Sequence, residues 1–555
     1  MKPEAPVAIP PAWSVSDRPP VPKNVHSAPI PAFIERILRS EKFGDDVVHV
    51  ASIAAQEASY ASLAAPLPAA LGQALFDLGI TRLFSHQAEA IDGAREGKDV
   101  LIVTPTASGK SLVYLLPTLE AALTRPGARA LYLFPYKALA QDQYHGIVEL
   151  AVAAARHGGV VPDRHGLPGT GRPVSAAIYD GDTPDSRRRK IKAEPPDILI
   201  TNPDMLHLGI LAHHRDWRAL FENLEVVVVD ELHVYRGIFG SHLHHVLKRL
   251  QRIAAHYGSR PRFIASSATI ANPGGLGEAL FGRPFSVVDR TGAPRAGRHL
   301  MFVNPLGGSP YTAATQLFAW SLEAGFRTIA FTKARKITEL LHSWVLQSAP
   351  RLASRVSAYR SGYLPEERRD IERRLHDGSL QEVISTSALE LGVDIEGLDV
   401  CILVGYPGSV VSTWQRIGRV GREDRPSLTV LIGMPDALDQ YFMTSPEELL
   451  NRGFEEVVFD PSNRIIARAH ILCAGAELGL EQPRDRDLYG GMFSLVEELE
   501  REGALARDAG GERWYTLRRR PQRDVSLRSI GATYTIVDVE ADRVIGTLDA
   551  VRAFH

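Results

Sequence analysis

Short apolar runs alternate with longer amphipathic segments along most of the chain. The runs are typical of parallel strands buried on both faces, and segments with helical spacing, such as Ser111–Leu123 and Ser241–His256, lie between them. The first series of runs comprises Val100–Val103, Ala130–Phe134, Ile198–Thr201, Val226–Val229 and Phe263–Ala265, and the second comprises Thr328–Phe331, Val383–Ser385, Val400–Val404 and Leu428–Ile432. This order predicts two α/β domains in tandem, each a doubly wound parallel sheet.

The regions around these two series differ in composition. Glycine, proline and arginine cluster at Asp289–Arg298 and separate a first lobe, residues 81–295, from a second lobe, residues 296–455. Residues 1–30 are rich in proline and alanine without apolar periodicity, which predicts a flexible tail. Helical patterns at Ile34–Leu38 and Pro68–Leu78 indicate that residues 31–80 form a helical accessory segment that caps the first lobe.

The pattern changes after the second lobe. Helical spacing over Ile465–Leu480 and Met492–Glu502 is followed by an expected β-hairpin, Gly503–Leu517, which turns at two consecutive glycines. Helices followed by a two-stranded wing predict a winged-helix-like domain over residues 456–520. Residues 521–555 begin a further β element at Tyr534–Asp549 and stop without an obvious closure. We therefore expect the chain to be a truncated version of a longer protein.

Composition narrows the class of protein without naming a function. An apolar content of 45% and a charged content of 23% are ordinary for soluble globular proteins, and 555 residues exceed what one core can hold. No apolar run is long enough to cross a bilayer, so a cytoplasmic location is expected. The chain has only two cysteines, Cys401 and Cys473, which is too few for a disulfide framework or a four-cysteine zinc site. A net charge of −2 means that any nucleic-acid binding depends on local patches.

A candidate phosphate-binding loop, Thr104–Ser111, follows the first strand and opens a helix. Backbone N–H groups and the dipole at such a helix start bind phosphate, while Lys110 reaches the β- and γ-phosphates and Ser111 binds Mg²⁺. The loop departs from the strict glycine pattern at Thr104 and Ala107, and in this it resembles the superfamily 2 helicases. The predicted ATP-binding residues of this loop are Thr106, Ala107, Ser108, Gly109, Lys110 and Ser111.

A pair of carboxylates follows the strand Val226–Val229, at the edge of the sheet where ligands bind. Asp230 is predicted to hold Mg²⁺ and Glu231 to orient and deprotonate the attacking water. His233 is expected to link this site to the second lobe. By the same resemblance, Gln87 is predicted to read adenine, while the coupling of hydrolysis to movement is assigned to two residues, Ser267 and Thr269.

The second lobe contains a glutamine and two arginines, Gln415, Arg419 and Arg422, at helical spacing. We predict that they lie on one face of a helix and that the arginines neutralise charge on the γ-phosphate across the cleft. Gly418 and Gly421 weaken a helix, so their presence indicates a close approach instead. Asp394 is predicted to contact the ribose or the γ-phosphate network.

Nucleic-acid contacts are predicted in loops that follow strands on the same side as the nucleotide loops. Such loops offer amides and hydroxyls to phosphates and hold a strand without reading its sequence. The predicted contacts are Pro135, Lys137, Gln141, Thr201, Asn202, Pro203, Phe331, Thr332, Lys333, Arg360, Ser361, Gly362 and Thr386. Arg187–Lys190 is typical of a solvated helix face. His242, His244 and His245 have no cysteine or acidic residue nearby, so a structural or exposed role is expected rather than metal binding.

Three segments, Leu131–Gln143, Thr106–Ser111 and Ser387–Asp394, together resemble the MrfA-like bacterial DNA-repair helicases (mitomycin repair factor A, also SftH), which are relatives of a yeast RecQ-like helicase. The resemblance spans roughly Leu67 to His470. It implies two RecA-like domains, 3′→5′ translocation on single-stranded DNA with ATP hydrolysis, and a role in DNA repair. The family usually has a further C-terminal domain with four cysteines, which we expect to be missing here through truncation or divergence.

The sequence thus predicts an ATP- and Mg²⁺-dependent DNA helicase that acts on single-stranded DNA, or on a duplex with a single-stranded tail, in association with the nucleoid. Two alternatives stay open. The first is an RNA helicase, or a duplex translocase that does not unwind, because nothing in the loops identifies a 2′-hydroxyl. The second is a nucleotide-switched DNA-binding scaffold in which hydrolysis is incidental.

Overall fold

The computed structural model describes residues 29–162, 171–360, 362–390, 397–421, 425–528, 533–539 and 543–549. Nearly all of the predicted tail, 1–30, lies outside these ranges, as do Ser361, Asp394 and Arg422. Among the helices in the described ranges, none combines the length and apolar character needed to span a bilayer.

Seven parallel strands form the sheet of the first lobe. Across the sheet, the strands are Ser286–Val288, Val100–Val103, Arg262–Ser267, Leu224–Val229, Arg129–Leu133, Ile198–Thr201 and Ala176–Ile178. Side chains alternate between the faces of a strand. Accordingly, Leu101 and Val103 belong to one apolar cluster and Val100 and Ile102 to another. Both faces of the sheet are therefore covered, as the continuous apolar runs predict.

Helices and short turns connect these strands and cover the sheet. The α-helices are Ala69–Asp77, Ser85–Arg95, Ser111–Thr124, Lys137–Arg156, Asp185–Ala193, Pro203–Met205, Arg218–Phe221, Gly237–His256 and Pro273–Phe281. A π-helical turn, Leu206–Ile210, continues into the 3₁₀ segment Leu211–Trp217, and a second 3₁₀ turn is Leu232–Val234. Two small antiparallel pairs lie outside the main sheet: Tyr60–Ala61 with Leu83–Phe84, and Val161–Pro162 with Gly171–Arg172.

The second lobe has a seven-stranded sheet that is parallel except for one edge strand. Its strands, in spatial order, are Val47–Ile53, Arg298–Val303, Ser427–Ile432, Val400–Val404, Thr328–Phe331, Glu382–Ser385 and Val356–Tyr359. The helices are Ile30–Leu38, Pro310–Glu323, Arg335–Ser348, Pro365–His376, Val410–Ile417, Ala437–Thr444 and Pro446–Leu450, and the 3₁₀ turns are Pro350–Arg355 and Ser387–Leu389. The predicted α/β class with two doubly wound sheets is confirmed.

The N-terminal segment 31–80 is divided between the lobes, which differs from the helical cap that we predicted. The apolar side of helix Ile30–Leu38 is buried in the core of the second lobe. Strand Val47–Ile53 pairs antiparallel with Arg298–Val303 at the edge of the second sheet. Helix Ala69–Asp77 packs on the first lobe, against Lys137–Arg156, and Tyr60–Ala61 pairs with Leu83–Phe84 of that lobe. A seven-residue strand with weak alternation of apolar and polar residues carries little periodic signal, so its pairing could not be inferred.

The C-terminal region is a small winged-helix domain, as predicted. Its helices are Arg464–Glu477, Arg484–Tyr489 and Ser494–Arg501, with 3₁₀ turns at Gly490–Phe493 and Pro521–Asp524. Its antiparallel sheet is ordered Leu480–Glu481, Arg513–Thr516 and Leu505–Arg507, and a separate hairpin follows, formed by Thr533–Asp538 and Arg543–Asp549. Trp514 and Leu495 lie in its apolar core.

The winged-helix domain packs against helix Gly237–His256, which we call the docking helix. Arg249 and Glu477 are both buried at this contact, and Arg249 Nε donates to Glu477 Oε2 over 3.0 Å. Arg252 Nε donates to Asp485 Oδ1 over 2.6 Å. Two charge pairs removed from water hold one relative orientation of the domains, since leaving either partner single would be costly. Buried histidines line the same contact: His207, His242, His245 and His470.

Candidate nucleotide and nucleic-acid site

The phosphate loop, Thr104–Ser111, joins strand Val100–Val103 to helix Ser111–Thr124. Ala107 has a φ of +63° and Gly109 a φ of +75°. Alanine disfavours the left-handed conformation that glycine adopts freely, yet Ala107 adopts it at a cost of about 1–2 kcal/mol. The loop thus holds a strained backbone at the start of a helix, where strain is often functional.

Lys110 lies inside the curve of the phosphate loop. Its Nζ donates to the carbonyl oxygens of Thr104, over 2.8 Å, and Pro105, over 2.9 Å. Burial lowers the pKa of Lys110, and the nearby carboxylates of Glu231 and Asp230 oppose that shift. The ammonium group therefore faces the two carboxylates from the position where the loop would surround a phosphate.

Two buried side chains support the phosphate loop from behind. Gln87 accepts from the Phe84 N–H over 2.9 Å and donates to the Gly109 carbonyl over 2.9 Å. His86 Nδ1 accepts from the N–H of Gly292, in the linker between the lobes, over 3.0 Å, so its Nε2 donates to the Ser108 carbonyl over 2.9 Å. Burial lowers the pKa of His86. Gln87 was predicted to read adenine, whereas His86 was missed because a single histidine has no distinguishing signal.

Asp230 and Glu231 lie directly after the central strand Leu224–Val229. The buried Asp230 carboxylate accepts from the Ser266 hydroxyl and from the Glu231 N–H, the latter over 2.9 Å. Burial, and then the charge of Glu231, raise the pKa of Asp230, while Lys110 opposes the rise. Glu231 has a φ of +55°, a left-handed conformation that turns the chain sharply at the end of the strand. Both carboxylates are therefore held at the edge of the sheet near Lys110.

His233 connects the two lobes. Its Nδ1 accepts from the Ala268 N–H over 3.1 Å, in the segment that contains Ser267 and Thr269. Burial lowers the pKa of His233. Its Nε2 lies 2.8 Å from the amide nitrogen Nε2 of Gln415, in the second lobe. A single imidazole thus contacts the segment after strand Arg262–Ser267 on one side and the opposite lobe on the other.

The arginine segment of the second lobe differs from our prediction. We placed Gln415, Arg419 and Arg422 on one helix, but the helix Val410–Ile417 ends before Arg419, with Gly418 as its C-cap. Arg419 follows in a turn, and Arg422 lies outside the described residues. Glycine has a low helix propensity and two glycines occur within four positions, so the helix stops early and the prediction of a single helix was wrong.

Glu390 organises the arginines of this segment and was missed in the sequence. Arg416 Nε donates to Glu390 Oε2 over 2.9 Å, and the Arg416 guanidinium stacks over the ring of Phe331. Arg419 donates from Nε and Nη2 to the Glu390 carbonyl oxygen, over 3.1 and 2.7 Å. All three charged residues are buried. The backbone carbonyl of Glu390 therefore fixes the Arg419 guanidinium near Lys110.

The phosphate loop and the arginine segment meet at Thr106 and Gly418. A Cβ atom added to Gly418 would overlap the Thr106 hydroxyl. Gly418 has an ordinary right-handed backbone, with φ of −66° and ψ of −9°, so the backbone conformation does not require glycine. Its small size instead permits the two lobes to touch. Together with the contact of His233 and Gln415, this defines a closed cleft.

The predicted nucleic-acid loops of the first lobe lie side by side, because they follow the adjacent strands Arg129–Leu133 and Ile198–Thr201. Pro135, Thr201 and Pro203 are buried, and the Thr201 hydroxyl donates to the Tyr179 carbonyl over 2.6 Å. The Asn202 side chain caps the short helix that follows it. Lys137 and Gln141 are exposed, although Lys137 pairs with Asp182 over 2.7 Å.

The loops of the second lobe follow the adjacent strands Thr328–Phe331, Glu382–Ser385 and Val356–Tyr359. The side chains of Phe331 and Thr332 are buried, and that of Thr386 caps a 3₁₀ turn. Lys333 pairs with Asp436 and Asp439, each over 3.2 Å, and Arg360 pairs with Glu339 over 2.7 Å. Gly362 is exposed beside Arg360. In both lobes the loops therefore share one sheet edge, while several predicted side chains point into the protein.

Metal binding by protein groups alone is not supported in the described ranges, since no group of three or more histidines, cysteines or carboxylates is arranged for it. His242 and His245 are buried against His470, and His244 is buried with its Nδ1 at 3.2 Å from the Leu280 carbonyl oxygen, so all three have a structural role. At the phosphate loop, by contrast, a buried carboxylate, a hydroxyl and an ammonium group lie together. The carboxylate and the hydroxyl can ligate Mg²⁺, and they fit the ion only when phosphate oxygens complete its coordination; the ammonium group can contact those phosphates but cannot ligate the metal.

Three family models match consecutive parts of the chain. Residues 84–274 match the DEAD/DEAH box helicase model, residues 311–424 the helicase conserved C-terminal domain, and residues 459–530 the winged helix domain of ATP-dependent helicase HRQ1. The order of these matches is the order of the three domains in the structure.

Individual relatives match over most of the chain. The ATP-dependent helicase YprA of Bacillus subtilis is 38% identical over 94% of this chain and 69% of its own length. The ATP-dependent helicase HRQ1 of Saccharomyces cerevisiae is 33% identical over 83% of this chain and 43% of its own length. The chain thus spans less than half of that yeast relative.

The crystal structure of the DUF1998 helicase MrfA bound to DNA and AMPPNP superposes with a TM-score of 0.84 at 38% identity, covering 95% of this chain and 72% of that one. A further crystal structure of MrfA superposes with a TM-score of 0.67 at 37% identity, covering 88% of this chain and 69% of that one. The chain belongs to the MrfA-like family of superfamily 2 ATP-dependent DNA helicases.

Proposed function

We propose that this chain moves 3′→5′ along single-stranded DNA, driven by ATP hydrolysis with Mg²⁺, and serves DNA repair in association with the nucleoid. The observation that carries the proposal is the closed cleft, in which Gly418 touches Thr106 and Gln415 touches His233. A nucleotide-dependent contact between lobes converts binding and hydrolysis into closing and opening, because only the closed state brings both sets of residues together.

The chemical roles follow from the positions of the side chains. Ser111 and Asp230 would hold Mg²⁺, which when bound would neutralise charge on the phosphates. Lys110 binds the phosphates and Glu231 orients and deprotonates the attacking water. Arg419, fixed by the Glu390 carbonyl, neutralises charge on the γ-phosphate. Arg422 and Asp394 keep the roles predicted from the sequence, and His233 transmits the state of the site to the second lobe.

Single-stranded DNA would run along the shared sheet edge of the two lobes. Exposed Lys137 and Gln141, the backbone around Asn202, and exposed Gly362 offer donors to phosphates without reading bases. The buried Thr201, Phe331 and Thr332 shape these loops from inside. The similarity of the chain to two DNA-bound structures of MrfA, with TM-scores of 0.83 and 0.84, supports this path.

The polarity and the repair role rest on the resemblance to MrfA-like helicases. The polarity is tested by measuring strand separation on duplexes with a 3′ tail, a 5′ tail or no tail, with ATP turnover measured in the same assays. We expect strand separation on the 3′-tailed duplex alone, and greater stimulation of hydrolysis by single-stranded DNA than by RNA. Equal separation of the 5′-tailed duplex would refute the polarity. Strand separation without hydrolysis would favour the nucleotide-switched scaffold.

A further inference from the structure

Six exposed cations lie on three segments that contact one another, on a chain whose net charge is only −2. They belong to helix Asp185–Ala193, to the turn Leu211–Trp217 and to the end of the winged-helix domain, residues 518–523. We call this region the basic surface. Its members are Arg187, Arg189, Lys190, Arg215, Arg520 and Arg523.

Specific contacts bring the three segments together. Lys192, on the helix, pairs with Asp216, on the turn, over 3.3 Å. The ring of His207 lies 3.0 Å from the carbonyl oxygen of Gln522, which fixes the end of the winged-helix domain against the first lobe. His213, on the turn, is close to cations of the other two segments. The pKa of His213 is lowered first by burial and then by nearby positive charges, which include Lys192 of the helix and Arg520 and Arg523 of the winged-helix domain. The basic surface is therefore a composite of two domains.

The positive charge of this region is not compensated locally. Among the described residues, no carboxylate lies within ion-pair distance of any of the six members, whereas the neighbouring Lys192 and Arg518 pair with Asp216 and Asp524. An open depression of about 660 Å³ is lined by Ser186, Arg187, Arg189 and Lys190. A solvated helix face would explain Arg187–Lys190 alone, but it does not explain unpaired cations from three segments on one surface.

The basic surface continues from the loops that we assign to DNA. Lys137, in one such loop, pairs with Asp182, which lies just before helix Asp185–Ala193. Arg188 donates to the carbonyls of Asp180 and Thr183, each over 2.8 Å, and so fixes the start of that helix. Near the other loop, Arg528 pairs with Asp204 over 3.4 Å. Both DNA loops of the first lobe are thus physically joined to the segments that carry the basic surface.

We propose that the basic surface binds the DNA backbone of the strand that extends beyond the DNA loops of the two lobes, as a second site outside the motor. Guanidinium and ammonium groups that have no ion-pair partner can bind the phosphates of a DNA backbone on a shallow surface, because this binding depends on opposite charge and not on a shaped pocket. The proposal rests on the proposed function, because it requires the same strand to lie along those loops. It gives the winged-helix domain a part in holding DNA while the lobes open.

The test compares short and long strands. Binding of oligothymidines of about 10 and about 30 nucleotides is measured over a series of salt concentrations, for the unmodified chain and for the triple variant Arg187→Gln, Arg189→Gln, Lys190→Gln. We expect the variant to bind the long strand at least about tenfold more weakly, with a salt slope smaller by about 2, as three lost contacts to single strands predict. Binding of the short strand and the ATPase rate that it stimulates should be unchanged.

A matched control removes the same charge elsewhere. Arg464, Arg468 and Arg507 pair with glutamates of the winged-helix domain, so their replacement by glutamine should leave the length dependence intact. The proposal is overturned if the first triple variant binds the long strand normally, or if it loses affinity equally for both lengths. Failure of the unmodified chain to bind the short strand, or to hydrolyse ATP with it, would instead count against the proposed function.

Discussion

Thr106 in the phosphate loop and Gly418 at the end of a second-lobe helix lie in direct contact across the cleft. No other residue fits at position 418 without displacing the Thr106 hydroxyl, although the backbone there would accept any L-residue. The contact joins the segment that binds phosphate to the segment that carries Arg419. At this contact, closure of the lobes depends on the absence of a side chain at Gly418 and not on a hydrogen bond or an ion pair.

Gly418→Ala should impair closure, because the added methyl group meets the Thr106 hydroxyl. We expect DNA-stimulated kcat to fall about tenfold, equivalent to about 1.4 kcal/mol, while binding of ATP to the first lobe persists. Steady-state ATPase assays and nucleotide-binding titrations measure both. Adding Thr106→Ala should restore part of the loss, whereas strictly additive effects of the two substitutions would contradict a direct contact.

Gln415→Ala should uncouple hydrolysis from DNA. The amide of Gln415 lies 2.8 Å from His233 Nε2, and it is a direct contact between the water-activating segment and the second lobe. We expect the stimulation of ATPase by single-stranded DNA to be largely lost, with DNA affinity retained. Ser412→Ala, on the same helix but half-buried, is the control and should behave normally. Normal stimulation in Gln415→Ala would show that the contact transmits nothing.

Substitution of Arg416 should lower the stability of the fold, whereas substitution of Arg419 should lower the rate of ATP hydrolysis. Arg416→Ala leaves the buried Glu390 carboxylate without its ion-pair partner, so we expect the unfolding free energy to fall by about 3–5 kcal/mol. Arg419→Ala should bind nucleotide and keep its stability, but lose about a thousandfold in kcat. Denaturant unfolding and ATPase rates on both variants decide the assignment. Loss of ATP binding in Arg419→Ala would argue against its catalytic role.

The contact between the first lobe and the winged-helix domain should weaken in acid. Burial first, and then neighbouring positive charge, holds the pKa values of His207, His245 and His470 well below the usual range. The unfolded chain binds protons near pH 6.5 and the folded chain does not, so stability is complete above that pH and is lost as pH falls below it. Each histidine contributes a slope of about 1.4 kcal/mol per pH unit.

His245→Leu isolates one of these groups, because neither ring nitrogen of His245 has a hydrogen-bond partner among the described residues. We expect the slope of unfolding free energy against pH below 6.5 to decrease by about 1.4 kcal/mol per unit, with no loss of stability at pH 7.5. Urea unfolding at a series of pH values measures it. An unchanged slope would mean that His245 titrates alike in the folded and unfolded chains.

The sequence was most informative where a residue type and its place after a strand act together. Lys110, Asp230 and Glu231 follow strands that the apolar runs identify, so their convergence at one sheet edge could be inferred. Glu390 and His86 could not, because their roles depend on hydrogen bonds to backbone atoms distant in sequence. Such contacts leave no periodic pattern.

The ends of helices and the pairing of strands distant in sequence could not be predicted from the sequence either. Strand Val47–Ile53 belongs to the second lobe only because it pairs with Arg298–Val303, nearly 250 residues away. The contact of Gly418 with Thr106 joins two lobes that are more than 300 residues apart in sequence, which is a tertiary constraint. Local propensity cannot predict a contact that forms only when two domains meet.

The Glu231→Gln variant provides the most direct test of the proposed ATP-driven motor function. The measurement is ATP hydrolysis by Glu231→Gln with saturating single-stranded DNA, alongside ATP binding and separation of a 3′-tailed duplex. Glutamine preserves the size of the side chain but cannot deprotonate water, so we predict a loss of about 10²–10⁴ in kcat, normal ATP binding and no strand separation. Near-normal turnover by Glu231→Gln would contradict the assignment of this site as the motor's catalytic centre.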